Sequence, residues 1–250
     1  MDGGRGAIGR EAVRGMIFAA SDLHGFPLVR FMNGLKAIGF GENDFLYILG
    51  DVVDRHGDGG AAMLRWMSLQ RNMQLLMGNH EYMMLSCAEM LYDASPERVK
   101  RMSREDLRKF LHWSDNGGTA TLNGFAALRE TDPDSIPRIL AYVSRAPYYA
   151  VTRVRGRDFL LTHAGLGNFS PEKPIENYTA DELLWNRPSL ADEYFDNMMT
   201  VFGHTPTIMY GMQYAGKVIR TGTWCDIDVN TAAHDQIAVL RLDDMKEFYI

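Results

Sequence analysis

Residues 45–81 read FLYILGDVVDRHGDGGAAMLRWMSLQRNMQLLMGNHE. FLYIL (45–49) has the length and apolar content of a buried strand, GDVVDRHGDGG is a glycine-rich loop, and AAMLRWMSL (61–69) places apolar residues at helical spacing. MQLLM (73–77) starts a third such unit, followed by GNHE and the helix-like EYMMLSCAEML. Strand, loop, helix, strand is the crossover pattern that joins parallel strands. Toward the N-terminus the pattern repeats: MIFAA (16–20) is a strand, SDLHG interrupts it, and PLVRFMNGLKAI (27–38) is a helix behind a proline suited to a first turn. Asp22, Asp51 and Asn79 therefore hold equivalent places in successive units of roughly 30 residues. Right-handed crossovers carry the loops after parallel strands to one end of a sheet, so SDLHG, GDVVDR and GNHE are expected to converge.

Beyond residue 92 the pattern changes. Ser103 with Asp106 makes a helix-cap signature before LRKFLHW, and NGGTATLNGFAAL and SIPRILAYV also read as helices. Residues 93–147 are thus expected to be a helical insertion on a single domain spanning 16–250. Residues 1–15, rich in Gly and Arg, are read as a flexible tail, or as preceding a late start at Met16. From Tyr148 onward strands return at YYAVTRV, FLLTHAG, MTVFGHT, KVIRT, WCDIDV, IAVLRL and EFYI. Several are joined by short turns and are therefore expected to be antiparallel, forming a second sheet packed on the first.

The 250 residues are 46% hydrophobic and 23% charged, which excludes wholesale disorder, and no apolar run approaches the length needed to span a membrane. A formal net charge of -6 opposes the electrostatic footprint of a nucleic-acid binder. Cys87 and Cys225 have no metal-ligand spacing, which removes a zinc–thiolate centre and suits a reduced, cytoplasmic compartment.

Hard divalent cations take carboxylate, amide and imidazole ligands, and two sharing a site need a bridging carboxylate. The strand-end loops offer Asp22, His24, Asp51 and Asn79. THAG adds His163 and FGHT adds His204, each directly after an apolar strand. One such residue in a glycine-rich loop is ordinarily a turn former. Six of them on five loops can make two adjacent metal sites.

SDLHG, GDVVDR, GNHE, HAG and GHT, in this order over residues 21–205, resemble the motifs of the phosphoprotein phosphatase branch of the calcineurin-like metallophosphoesterases, of bacterial and phage type. Ser21 stands where that branch usually has Gly, and His56 where it usually has Gly. The resemblance implies an α+β fold, an α/β/β/α four-layer sandwich of two mixed β-sheets flanked by helices, with a βαβαβ metal-binding core. It implies that Asp22, His24 and Asp51 hold one metal and that Asp51 bridges to a second held by Asn79, His163 and His204. Pro206 after GHT stands where related nucleases often carry a further His ligand, which favours the phosphatase branch. His80 is then the acid that protonates the leaving oxygen, Asp54 its partner, and Arg55 a phosphate clamp. LLWNRP resembles the LLWxR element of bacterial and phage members and makes Arg187 a second clamp.

The enzyme so implied is a metal-dependent protein serine/threonine phosphatase, a phosphomonoesterase in which a metal-bound hydroxide attacks phosphorus directly. Two divalent ions are implied, manganese first by resemblance, while the ligand set equally admits iron with zinc. The substrate is a phosphorylated protein or a small phosphoester, with no nucleic-acid or membrane partner and an oligomeric state left open. The alternative is a dinucleoside polyphosphate hydrolase; diadenosine tetraphosphatases share the early motifs but commonly lose the Asp that stands here as Asp54. A catalytically silent binding module has no need of the full set of ligands, acid and clamp. His56, His112 and His234 carry no motif and are read as surface or packing residues, and the methionines as core.

Overall fold

The computed structural model describes residues 6–8 and 15–250. Eleven strands and nine α-helices are present among them. They follow the chain as β1 (Gly6–Ile8), β2 (Ile17–Ala20), α1 (Leu28–Ala37), β3 (Phe45–Ile48), α2 (Ala61–Met67), β4 (Met73–Leu75) and α3 (Asn79–Ser86). Next come α4 (Pro96–Lys100), α5 (Arg104–Trp113), α6 (Thr119–Thr131), α7 (Ser135–Ser144), β5 (Tyr149–Val154), β6 (Arg157–Thr162) and α8 (Ala180–Leu184). The last are β7 (Met198–Phe202), β8 (Ile219–Arg220), β9 (Trp224–Asp226), α9 (Thr231–His234), β10 (Ala238–Arg241) and β11 (Lys246–Tyr249). No helix among the described residues is long and apolar enough to cross a membrane.

Two mixed sheets stack face to face. The first has the order β11-β10-β2-β3-β4 and the second β1-β5-β6-β7-β9-β8. β2, β3 and β4 are parallel and in register, with Ala20 opposite Ile48 and Ile48 opposite Leu75, so their three following loops leave the sheet at one edge. β6 and β7 are also parallel, with Leu161 opposite Val201, which sets the loops carrying His163 and His204 side by side.

Period-two alternation assigns the faces. Ile17, Ala19, Phe45 and Tyr47 meet Phe159, Leu161, Val201 and Cys225 between the sheets. Phe18, Ala20, Leu46 and Ile48 pack instead on Phe31 and Leu35 of α1, Leu64 of α2, Met84 of α3, Phe125 of α6 and Ile139 of α7. On the far side of the second sheet, Leu160, Phe202 and Trp224 are covered by Leu183 of α8 with Tyr178 and Tyr194. Thus residues 93–147 complete the helical layer over the first sheet. Helix α1 stops where Gly39, at φ +82°, permits a left-handed turn. Its N–H donates to Lys36 O, and that of Phe40 to Leu35 O, two bonds that satisfy otherwise orphaned terminal carbonyls.

Three expectations are corrected. IAVLRL and EFYI do not join the second sheet: β10 pairs antiparallel with β2, Val239 opposite Ala20, and β11 with β10. That placement buries Val239 under the helices while Ala238 and Leu240 enter the space between the sheets. Within the stretch expected as a tail, Gly6–Ile8 pair in parallel with Tyr149–Val151; the rest of that stretch up to residue 14 lies outside the described residues. In NGGTATLNGFAAL the α-helix starts only at Thr119, because Gly117 has φ +103° and interrupts the helical path. Cys87 and Cys225 are buried free thiols, and burial pushes Cys87 up to about 11.

Candidate metal and catalytic site

The loops after β2, β3 and β4 continue alongside one another past the strand ends, with Asp22 N–H donating to Gly50 O and His24 N–H to Asp51 O. Close approach is bought with missing side chains: a Cβ on Gly50 would lie 2.6 Å from Gly78 Cα. Asp22, His24, Asp51, Asp54, Arg55 and His204 all have φ between 42° and 75°, a region L residues seldom occupy. Such strain, of order 1–3 kcal/mol per residue, persists only where the surroundings enforce it, and it clusters at functional sites.

All six expected ligands are brought to one buried volume. His163 Nδ1 donates to Leu49 O at 2.7 Å, and His24 Nδ1 to Val53 O at 3.0 Å. A carbonyl only accepts, so in each ring Nε2 is left with its lone pair. His163 Nε2 then faces Asn79 Oδ1 at 2.9 Å and Asp51 Oδ1 at 3.5 Å, while His204 Nδ1 lies 3.1 Å from the same Asn79 oxygen. His24 Nε2 faces Asp51 Oδ2 at 3.6 Å and Asp22 Oδ1 at 3.8 Å. The two Asp51 oxygens thus look into two different ligand sets. Donor atoms of His24, Asp51 and His80, and separately of Asp51, His163 and His204, lie within 4.8 Å of one another.

Electrostatics point the same way. Burial pushes the Asp51 carboxyl well above its usual range, and the nearby Asp22 and Glu81 charges push it further. Burial also lowers His24, His163 and His204, keeping them in the neutral form that ligates metals. Lone pairs converging on lone pairs, beside an Asp51 carboxyl that resists ionisation, are what a divalent cation would relieve. The residues present fit two such ions.

His80 behaves differently. Burial alone would lower it, but the Asp51 charge and the hydrogen bond to Asp54 outweigh burial and raise it above its usual range. Its Nδ1 lies 2.6 Å from Asp54 Oδ2. Arg55 Nη2 comes within 3.2 Å of His80 Nε2, so an anionic oxygen entering between them would accept from both. Arg187 is held over the other ligand set, donating to His204 O at 3.0 Å. His56, His112 and His234 are exposed.

Sequence reading passed over the supports. Glu81, within GNHE, is fully buried and accepts from the backbone N–H groups of Asp51 and Val52 at 2.7 Å, Gly78 at 3.1 Å and Val53 at 3.2 Å. Its place in a motif was the available signal. Ser21 Oγ donates to Asp22 Oδ2 at 2.5 Å, and Thr231 Oγ1 to Asp22 O at 2.8 Å. Trp113 and Thr121 both reach Asp54, and nothing in their helical spacing separates them from core residues. Glu81→Gln would set an amide donor against backbone donors, and it is expected to cost about 2–4 kcal/mol of stability. Chemical denaturation of the variant checks this; a change under about 0.5 kcal/mol, the usual range for surface substitutions, would refute the role.

Residues 16–235 match the family model described as calcineurin-like phosphoesterase. The symmetrical bis(5'-nucleosyl)-tetraphosphatase of Acidovorax sp. (strain JS42) is 28% identical over 151 residues, 60% of this chain and 41% of that protein. The chain thus matches less than half the length of that curated relative. A putative diadenosine tetraphosphatase superposes with TM-score 0.66 at 15% identity, covering 99% of this chain and 97% of that one. A protein serine/threonine phosphatase from Saccharomyces cerevisiae superposes with TM-score 0.52 at 14% identity, covering 99% and 82%.

Proposed function

Because the chain belongs to the calcineurin-like phosphoesterase family, we propose that it is a dinuclear metal-dependent phosphomonoesterase acting on phosphoserine and phosphothreonine in proteins. The observation carrying this reading is the buried pair of His80 and Asp54, 2.6 Å apart. Expelling a serine or threonine alkoxide demands a proton from a held acid, whereas a nucleotide leaves as a stabilised anion and depends on one far less. In this reading Asp22, His24 and Asp51 would hold one cation, and Asp51, Asn79, His163 and His204 the other. When bound, the two ions supply Lewis acidity at phosphorus and an activated water for in-line displacement. Arg55 and Arg187 bind and orient the nonbridging phosphate oxygens, since a guanidinium keeps its charge and matches phosphate geometry. Asp54 keeps the His80 ring oriented, and His80 Nε2 delivers the proton to the leaving oxygen. Manganese is the proposed working metal.

Hydrolysis of dinucleoside polyphosphates is the second reading. It is favoured by the similarity to the symmetrical tetraphosphatase and by an exposed ring beside the ligands. Tyr82, one helical turn after Asn79, is 40% exposed and meets Trp185 edge to face at 5.5 Å, a surface on which a base can stack. Phosphate release from a phosphothreonine peptide and cleavage of diadenosine tetraphosphate, measured side by side with metal-stripped, manganese-restored enzyme, separate the two. Higher kcat/KM on the peptide is the expected result; preference for the dinucleotide would overturn the phosphatase reading in favour of the second.

A further inference from the structure

We propose that Trp113 and Thr121, on the helical segment between residues 93 and 147, are positioning residues for the His80 acid and thereby govern turnover of substrates with poor leaving groups. The inference rests on the proposed acid role of His80.

Asp54 has no solvent exposure and sits on a backbone with φ 75°. Its carboxylate is held from three directions. Thr121 Oγ1 donates to Oδ1 at 2.6 Å, His80 Nδ1 meets Oδ2 at 2.6 Å, and Trp113 Nε1 lies between, 2.9 Å from Oδ2 and 3.1 Å from Oδ1. Asp54 N–H in turn donates to Thr121 Oγ1 at 3.0 Å. One threonine hydroxyl thus fixes both the main chain and the side chain of Asp54. The indole N–H is a donor only, so it orients the carboxylate and takes no part in moving a proton.

The turn joining α5 to α6 seals the arrangement. Arg55 N–H donates to Gly117 O at 3.2 Å. A Cβ on Gly117 would lie 2.9 Å from Arg55 N, and one on Gly118 would lie 2.6 Å from the Trp113 indole. The turn is therefore wedged between the indole and the GDVVDR loop. His80 Nε2 lies 3.8 Å from Asp51 Oδ2 and 3.2 Å from Arg55 Nη2, while Trp113 and Thr121 hold the Asp54 carboxylate that the ring's Nδ1 meets. Freed of them, the Asp54 side chain rotates, the imidazole loses its fixed orientation, and proton delivery loses the alignment on which its rate depends.

The test measures kcat and KM of manganese-loaded enzyme on a phosphoserine peptide, whose leaving group needs a proton, and on p-nitrophenyl phosphate, whose leaving group does not. Thr121→Val and Trp113→Phe are expected to lower kcat on the peptide about tenfold, with a loss of under about twofold on the aryl ester and KM unchanged. Thr121→Ser keeps the hydroxyl and should restore peptide turnover, which decides the matter even if Trp113→Phe fails to fold. In an Asp54→Asn background neither substitution should add a further loss. Equal losses on both substrates, or losses that add to Asp54→Asn, would overturn the positioning role. If Asp54→Asn and His80→Asn themselves show no preference between leaving groups, the acid reading beneath the inference is what fails.

Discussion

Asp51→Asn is expected to reduce turnover more than a hundredfold and to remove metal-dependent stabilisation altogether. Replacing even an outer partner of a metal ligand costs about 10–100-fold in affinity or activity, and Asp51 turns its two oxygens toward both groups of expected ligands, Oδ2 toward His24 and Oδ1 toward His163. The sign of the stability change separates this role from a structural one. Burial and the Asp22 and Glu81 charges make ionised Asp51 costly in the metal-free fold. A carboxyl whose pKa is raised on folding loses stability above its unfolded value, so the neutral amide should leave the stripped protein as stable as the parent or more so at pH 7. Added manganese should then raise the Tm of the parent and leave that of the variant unmoved. Thermal melts with and without manganese, alongside metal content by mass spectrometry, check both halves; full occupancy by two ions in the variant would refute the bridge.

His80→Asn should lower kcat on phosphoserine or phosphothreonine peptides by about two to four orders of magnitude, the usual span for a positioned acid, and much less on aryl phosphates. Asn removes the titrating ring and its bond to Asp54, but leaves Asn79, the neighbouring proposed ligand, on the same first turn of α3. Asp51 Oδ1 accepts the His80 backbone N–H at 3.0 Å, and that bond survives the substitution. Single-turnover rates on the two substrate classes are the measurement. A uniform loss would point to damaged metal binding in place of a lost proton.

The parts of the site that announce themselves in the sequence do so because strand ends are local features. An apolar run followed by Gly or Ser and an Asp or His marks where a parallel strand stops, and the crossover rule brings such stops together. Asp22, Asp51 and Asn79 were legible for that reason. Partner choice is a different kind of information: period-two alternation fixes which face of IAVLRL is buried without saying which sheet receives it, and β10 lies on β2. Trp113 and Thr121 were illegible because a buried donor and a buried hydrocarbon occupy the same helical positions. Only the approach of Asp54 from a loop far back in the chain distinguishes them.

Pairing of β10 with β2 also bears on how the molecule assembles. Val239 lies opposite Ala20, and Leu242 N–H donates to Ile17 O, so the first sheet gains this flank from a segment that follows all the strands of the second. The three parallel strands β2, β3 and β4 precede it in the sequence, with one edge of β2 unpaired until residues 238–241 arrive. Non-local pairings of this kind fold slowly, and an open apolar edge in the interval invites pairing with other chains. Fragments ending before residue 238 should therefore aggregate in spite of carrying every expected metal ligand.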